Sequence, residues 1–165
     1  MRSYGQFCPV AKAAEIVAER WTPLILRELL MGSHRFNEIQ AGVPCIPRSL
    51  LVQRLRTLQQ AGLLEHRAGP RGGALEYHLT PAGQELFPVI EGLGEWGQRW
   101  LNSDLARHEI DPDLLVWDLH RRLHLDQLPD RRVVVQLDLV GLFQRSYWLV
   151  ADRQEVSVCR ADPGF

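Results

Sequence analysis

The chain has 165 residues, 45% of them hydrophobic and 24% charged, and its 19 basic and 20 acidic side chains leave a net charge of −1. That length accommodates one or two small domains with real cores. No run of about 18 apolar residues occurs, so no helical membrane span is expected, and the first residues lack both the apolar stretch and the small-residue cleavage site of a secretory signal.

In chain order, residues 8–19 place Val10, Ala14 and Val17 at helical spacing, with Ala13 and Ile16 beside them and Pro9 suited to the first turn. A second, strongly apolar helix carries Leu24, Ile25, Leu26, Leu29 and Leu30, with Thr22 as its expected cap and Gly32-Ser33 as its end. Phe36 and Ile39 lie three apart and suit one buried helical turn. Pro44 and Pro47 block continuation of that turn. A helix is then expected over 47–61, with Leu51, Leu55 and Leu58 as its apolar stripe, Leu50 on the flank, no acid anywhere, and Gly62 as its stop.

Residues 63–67 read as a strand, 68–73 as a glycine-rich turn, and 75–79 as a second strand with Leu75, Tyr77 and Leu79 on one face. Together they predict a β-hairpin with a basic tip. Thr80 then caps, and Pro81 opens, one long helix carrying Leu86, Val89, Ile90, Leu93, Trp96, Trp100 and Leu101. Two helices joined by a tight turn, the second basic and followed by a hairpin, make a winged helix-turn-helix. Between residues 32 and 73, six arginines face only Glu38 and Glu65, an excess of four cations on a neutral chain. Such a patch suits a polyanion, whose binding rests largely on phosphate neutralisation. A solvated arginine face is the alternative that charge alone leaves open.

The Cys-Pro start, Trp-Thr-x-Leu-Ile-Leu-Arg-Glu-Leu, Arg-Phe-x-Glu-Ile, Gln-Arg-Leu-x-x-Leu-x-x-Ala-Gly-Leu and Tyr-x-Leu-Thr-Pro-x-Gly together resemble the HxlR family of MarR-like regulators, over about residues 7–100. Ile46-Pro47 stands where many family members have a Ser or Thr cap. The resemblance implies a cytoplasmic homodimeric repressor or activator of transcription. Its terminal helices would form the interface, here through Leu86, Val89, Leu93, Trp96 and Trp100. Two recognition helices would enter successive major grooves of a pseudo-palindromic site in double-stranded DNA.

With the leucine stripe facing inward, Ser49, Gln53 and Arg56 lie opposite it, and Arg48 and Val52 flank it on the N-terminal side. Gln53 can pair with adenine, an arginine with guanine, and Val52 can touch a thymine methyl. Arg54 and Arg56 suit phosphate, Arg67 and Arg71 of the wing suit an adjacent minor groove, and His34 and Arg35 are further phosphate candidates. Arg35, Arg54 and Arg67 could instead pair with Glu38 or Glu65.

Three widely spaced cysteines without a C-x-x-C motif indicate neither a disulfide framework nor a zinc site, in keeping with a reducing cytoplasm. Cys8 stands before a helix start, where the dipole favours a reactive thiolate. Several HxlR relatives use such a cysteine to sense oxidants, but a small buried side chain is the favoured reading. His120 and His124, four apart near Asp118, are two ligands without a third. No catalytic constellation or phosphate loop stands out, and neither an enzyme nor a cofactor is expected.

The last third predicts a helix over 111–125, with strands over 132–140, 146–151 and 155–159. This pattern resembles the start of a sterol-carrier-like domain, found appended to some regulators of the family, and implies an apolar effector. A dimerisation or stabilising appendage is the plainer reading. The expectation is an α+β chain: a winged helix-turn-helix DNA-binding and dimerisation domain over 1–104, and a small α/β domain with antiparallel strands over 111–165. The rival functions are a protein-interaction module on the winged fold and a carrier or sensor of apolar ligands.

Overall fold

The computed structural model describes residues 3–69, 73–101 and 111–164. The chain divides into two compact units, Met1–Asn102 and Ser103–Phe165. Its described residues combine helices with antiparallel strands, an α+β composition.

In the first unit, α1 spans Pro9–Val17, α2 Thr22–Leu30, α3 Phe36–Gly42 and α4 Arg48–Gln60. The hairpin pairs β1, Leu64–Ala68, with β2, Leu75–Leu79, and α5, Pro81–Gln84, and α6, Phe87–Trp100, follow. The leucine stripe of α4 closes the core: Leu51, Leu55 and Leu58 are buried with Ile25, Leu26 and Leu29 of α2, Ile39 of α3, and Leu64 and Leu79 of the hairpin. Only the end of α1 reaches this core, through Ile16 and Val17, while Val10 stays exposed.

Four local expectations change. Thr22 does not cap α2. Trp21 occupies that position with φ 77°, in the left-handed region, and Thr22 is a buried first-turn residue whose N–H donates to the Glu19 carbonyl. The corner holds because the Trp21 indole packs on the core beneath the Arg20 guanidinium. The first strand starts at Leu64 rather than Leu63. Gly62, at φ 71°, ends α4, and the Leu63 N–H returns to the Leu58 carbonyl, so it is already used in the helix cap.

The single long helix expected after Thr80 is two. Thr80 Oγ1 caps α5 by accepting from the Gly83 N–H at 3.2 Å and donates to the Gly62 carbonyl at 2.7 Å. Pro88 has no N–H to return to the preceding turn, so the helix restarts at Phe87. The fourth change comes in the second unit, where the helix stops at His120.

Gly83 sits where a Cβ would lie 2.3 Å from the Leu63 carbonyl oxygen. Gly83→Ala is expected to destabilise the first unit by about 1–3 kcal/mol through overpacking against a backbone that cannot yield. A thermal melt of the variant checks this.

In the second unit, Asp111 caps α7, Pro112–His120, by accepting from the Asp113 and Leu114 N–H groups. A 3-10 turn, Leu125–Gln127, leads to β3, Val133–Leu139, β4, Arg145–Ala151, and β5, Val156–Cys159. These form an antiparallel meander in the order β3-β4-β5. Val116 of α7 packs on Tyr147 and Leu149 of β4, with Leu137, Leu139 and Val158 around them. The buried Tyr147 donates its hydroxyl to Asp113 at 2.7 Å. The Asp152 carboxylate accepts from the Gln154 and Glu155 N–H groups and so closes the turn between β4 and β5. Because α7 ends at His120, where the ring meets the Trp117 carbonyl, His124 lies beyond the helix and the two imidazoles do not share a helical face. No group of three metal-ligating side chains occurs among the described residues.

Candidate nucleic-acid interface

The tight turn at 43–47 joins α3 to α4. Gln40 fastens it by donating its Nε2 to the Ile46 carbonyl at 3.0 Å. The burial of one face of α4 fixes what the other face presents. With Leu51, Leu55 and Leu58 buried, Ser49, Gln53 and Arg56 are exposed and Val52 is half-buried. Thr57 donates its hydroxyl to the Gln53 carbonyl at 3.0 Å and occupies no base-reading position. Arg48 is exposed at the helix start, and its guanidinium lies over the Phe36 ring, 4.7 Å from the centroid. That contact orients a cation at the end of the helix that meets a groove first.

The remaining predicted cations are more engaged. Arg54 binds Glu19 at 2.8 Å and the Arg20 carbonyl at 3.1 Å, partners other than Glu38 or Glu65. It fastens α4 to the turn between α1 and α2. Arg67 pairs with Glu65 at 2.7 Å, as its alternative reading allowed. Arg35 pairs with Glu76 at 3.2 Å, while Glu38 accepts from the His34 and Arg35 N–H groups at 2.9 Å and so starts α3. His34 joins α3 to the wing: its Nδ1 lies 3.1 Å from the Tyr77 carbonyl, its own carbonyl accepts the Tyr77 N–H, and its ring stacks on His78 at 4.2 Å. Arg71, expected at the wing tip, lies outside the described residues.

Two features were absent from the sequence reading. Glu76 links the wing to α3. Burial opposes its charge, but hydrogen bonds from His78 and Arg35 outweigh this and hold its pKa below the ordinary carboxylate value. Glu28 is fully buried in α2 and takes two hydrogen bonds from Arg27, at 3.0 and 2.8 Å. The signal was present, since an acid inside Leu-Ile-Leu-Arg-Glu-Leu-Leu sits on a face otherwise committed to the core.

Of the residues expected in a dimer interface, Leu86 packs on its own domain's core beside Ile90. Val89, Leu93, Trp96 and Trp100 remain exposed at 48%, 51%, 55% and 66%, in one stripe of α6. Cys8 is the N-cap residue of α1 and is half-buried rather than buried, while Cys45 is exposed and Cys159 half-buried. In the second unit, a cavity of about 240 Å³ has a mixed lining, with the charged Arg132, Asp152 and Glu155 beside Val150, Cys159 and Pro163. No described helix is long and apolar enough to cross a membrane.

Comparison with known proteins agrees with this geometry. YvaP of Bacillus subtilis, an uncharacterised HTH-type transcriptional regulator, is 34% identical over 100 residues, 59% of this chain and 93% of that protein. Mb3122 of Mycobacterium bovis, described in the same words, is 42% identical over 95 residues, 56% of this chain and 58% of its own length. Among solved structures, the redox regulator HypR in its oxidised form superposes with a TM-score of 0.53 at 28% identity, covering 59% of this chain and all of that one. The reduced form of the transcriptional regulator YodB from B. subtilis gives 0.51 at 29% identity, covering 60% of this chain and all of that one. The family model for HxlR-like helix-turn-helix proteins matches residues 16–105, more than half of the chain, and the chain belongs to that family of transcriptional regulators.

Proposed function

We propose that this protein regulates transcription as a homodimer that reads a pseudo-palindromic operator. The supporting observation is the division of α4: three fully buried leucines on one side, and Ser49, Gln53 and Arg56 exposed on an acid-free outer face. In this reading Arg48, Ser49, Val52 and Gln53 meet base edges in the major groove, and Arg56 holds phosphate. Arg35, His34 and Arg67 line the approach to the duplex, with Glu76 and Glu65 setting the two arginines and the Tyr77 carbonyl setting the His34 ring. Arg54 supports recognition by holding α4 in place. A gel shift with the DNA upstream of its own gene, at two salt concentrations, tests the reading. A discrete shift that weakens steeply with salt is expected. No binding above that of unrelated DNA would overturn it.

The α6 stripe is the proposed subunit interface, because four large apolar side chains on one helix form a patch of the kind that a partner covers. Trp96→Glu is expected to convert the dimer to a monomer. It should also weaken operator binding by more than tenfold, since both half-sites are then no longer held together. Sedimentation and a binding titration on the same sample check this.

Cys8 is proposed as the thiol through which oxidants would act, standing half-buried at the N-cap of α1. Its maleimide labelling should outpace that of Cys45. A rate no faster than that of a free thiol would exclude the role.

A further inference from the structure

Among the described residues the second unit has a small core, with Val116, Tyr147 and Leu149 buried in its main cluster. Its sheet has three strands, and no described element pairs with the outer edge of β3. That edge carries Val-Val-Val-Gln-Leu-Asp-Leu, without lysine or proline to blunt it, and Val134 and Val135 are 37% and 48% exposed.

The direction of the free backbone groups follows from the ladder. The Asp152 N–H donates to the Glu155 carbonyl, so the even-numbered residues of β4 turn toward β5 and the odd-numbered ones toward β3. Leu149 and Tyr147 therefore bond with Val135 and Leu137, their register partners. Val134, Gln136 and Asp138 point their N–H and C=O groups outward.

We propose that the outer edge of β3 is a self-recognition surface, on which β3 of a second copy of this chain pairs antiparallel about a two-fold axis at Val135. The sequence of the strand is complementary to itself in that register. Val135 faces its own copy, Val133 faces Leu137, Val134 faces Gln136, and Arg132 faces Asp138 twice. The apolar pairs fall on the side that carries Leu137 and Leu139, and thus continue the face covered by α7. The charged pairs fall on the opposite side. There Arg132 already neighbours Asp152, and Asp138 accepts from Gln136 and Ser146. Only even-numbered residues point their backbone groups outward, so the neighbouring registers place the axis at Val134 or Gln136. There Arg132 faces Gln136 or Val140 and the charge match is lost, so the register is specified. Pairing yields a six-stranded sheet from two marginal three-stranded ones. It does not depend on the α6 interface.

The test uses the full chain with Cys8, Cys45 and Cys159 changed to serine. Val135→Cys then places two thiols opposite each other at a pair without direct hydrogen bonds, where side chains approach most closely. Mild oxidation should give a disulfide-linked dimer at least tenfold faster than Val140→Cys, whose 85%-exposed position lies outside the paired stretch. In the Val135→Cys background, Arg132→Asp should slow cross-linking about tenfold, and adding Asp138→Arg should restore it, as two cross-strand pairs turn from attraction to repulsion and back. Hydrogen exchange on the unmodified protein gives a second measure: the Val134 and Gln136 amides should be protected. Equal cross-linking rates at Val135 and Val140, or fast exchange at both amides, would overturn the proposal.

Discussion

Arg27→Ala is expected to destabilise the first unit by about 3–5 kcal/mol, because it strips a buried carboxylate of its guanidinium partner. Glu28 is 0% exposed, and Arg27 donates to its Oε1 from both Nε and Nη2. The same Nη2 donates to the Gly42 carbonyl at 2.9 Å, and Ser33 approaches Oε2 at 3.5 Å. One guanidinium thus ties α2 to the end of α3, where the turn toward α4 begins. The fit requires glycine at 42, since a Cβ there would lie 1.8 Å from Glu28 Oε2. Adding Glu28→Gln to the Arg27→Ala variant should recover part of the loss, because a neutral amide costs less to bury than a charge that has lost its guanidinium. Denaturant titration of both variants checks the order. A loss below about 1 kcal/mol in the single variant would mean that Ser33 and the surrounding backbone suffice to hold the carboxylate.

The second large effect concerns recognition, and two neighbours on α4 should behave differently. Gln53→Ala is expected to weaken operator binding by about 1–3 kcal/mol while leaving non-specific binding unchanged, as loss of a base-edge contact does. Arg56→Ala should weaken binding to all sequences and reduce the slope of log K against log salt by about one, as loss of a phosphate contact does. Both side chains are exposed and neither contributes to the leucine face, so the fold should be retained in each variant. Titrations of operator and random DNA at several salt concentrations separate the two roles. A Gln53→Ala variant that lost affinity equally for both DNAs would remove the base-reading assignment.

Much of the first unit was legible because its signals are local and mutually consistent. The 3.6-residue stripe of α4, the glycine at 62, the prolines at 44 and 47, and the Thr80-Pro81 start each act within one turn of chain. The ladder from Leu64↔Leu79 to Ala68↔Leu75 follows from alternation, displaced by one residue where the α4 cap claims Leu63. The readings that changed depend on distant groups. Trp21, not Thr22, starts α2 because the indole packs on a core built by other helices. Leu86 faces its own domain because the helix restarts at Phe87 and sets the phase of α6.

The sequence by itself determined the helix-turn-helix, the hairpin, and which face of α4 turns outward, since an amphipathic helix has one way to bury its leucines. Only the tertiary structure decided which arginines remain available. Arg54, Arg35 and Arg67 meet Glu19, Glu76 and Glu65, and two of those three partners lie more than thirty residues away along the chain. Charge pairing depends on distance in space, which spacing along the chain does not encode. The sequence marked Arg35, Arg54 and Arg67 as able to pair, but Glu19 and Glu76 as partners of Arg54 and Arg35 came only with the fold.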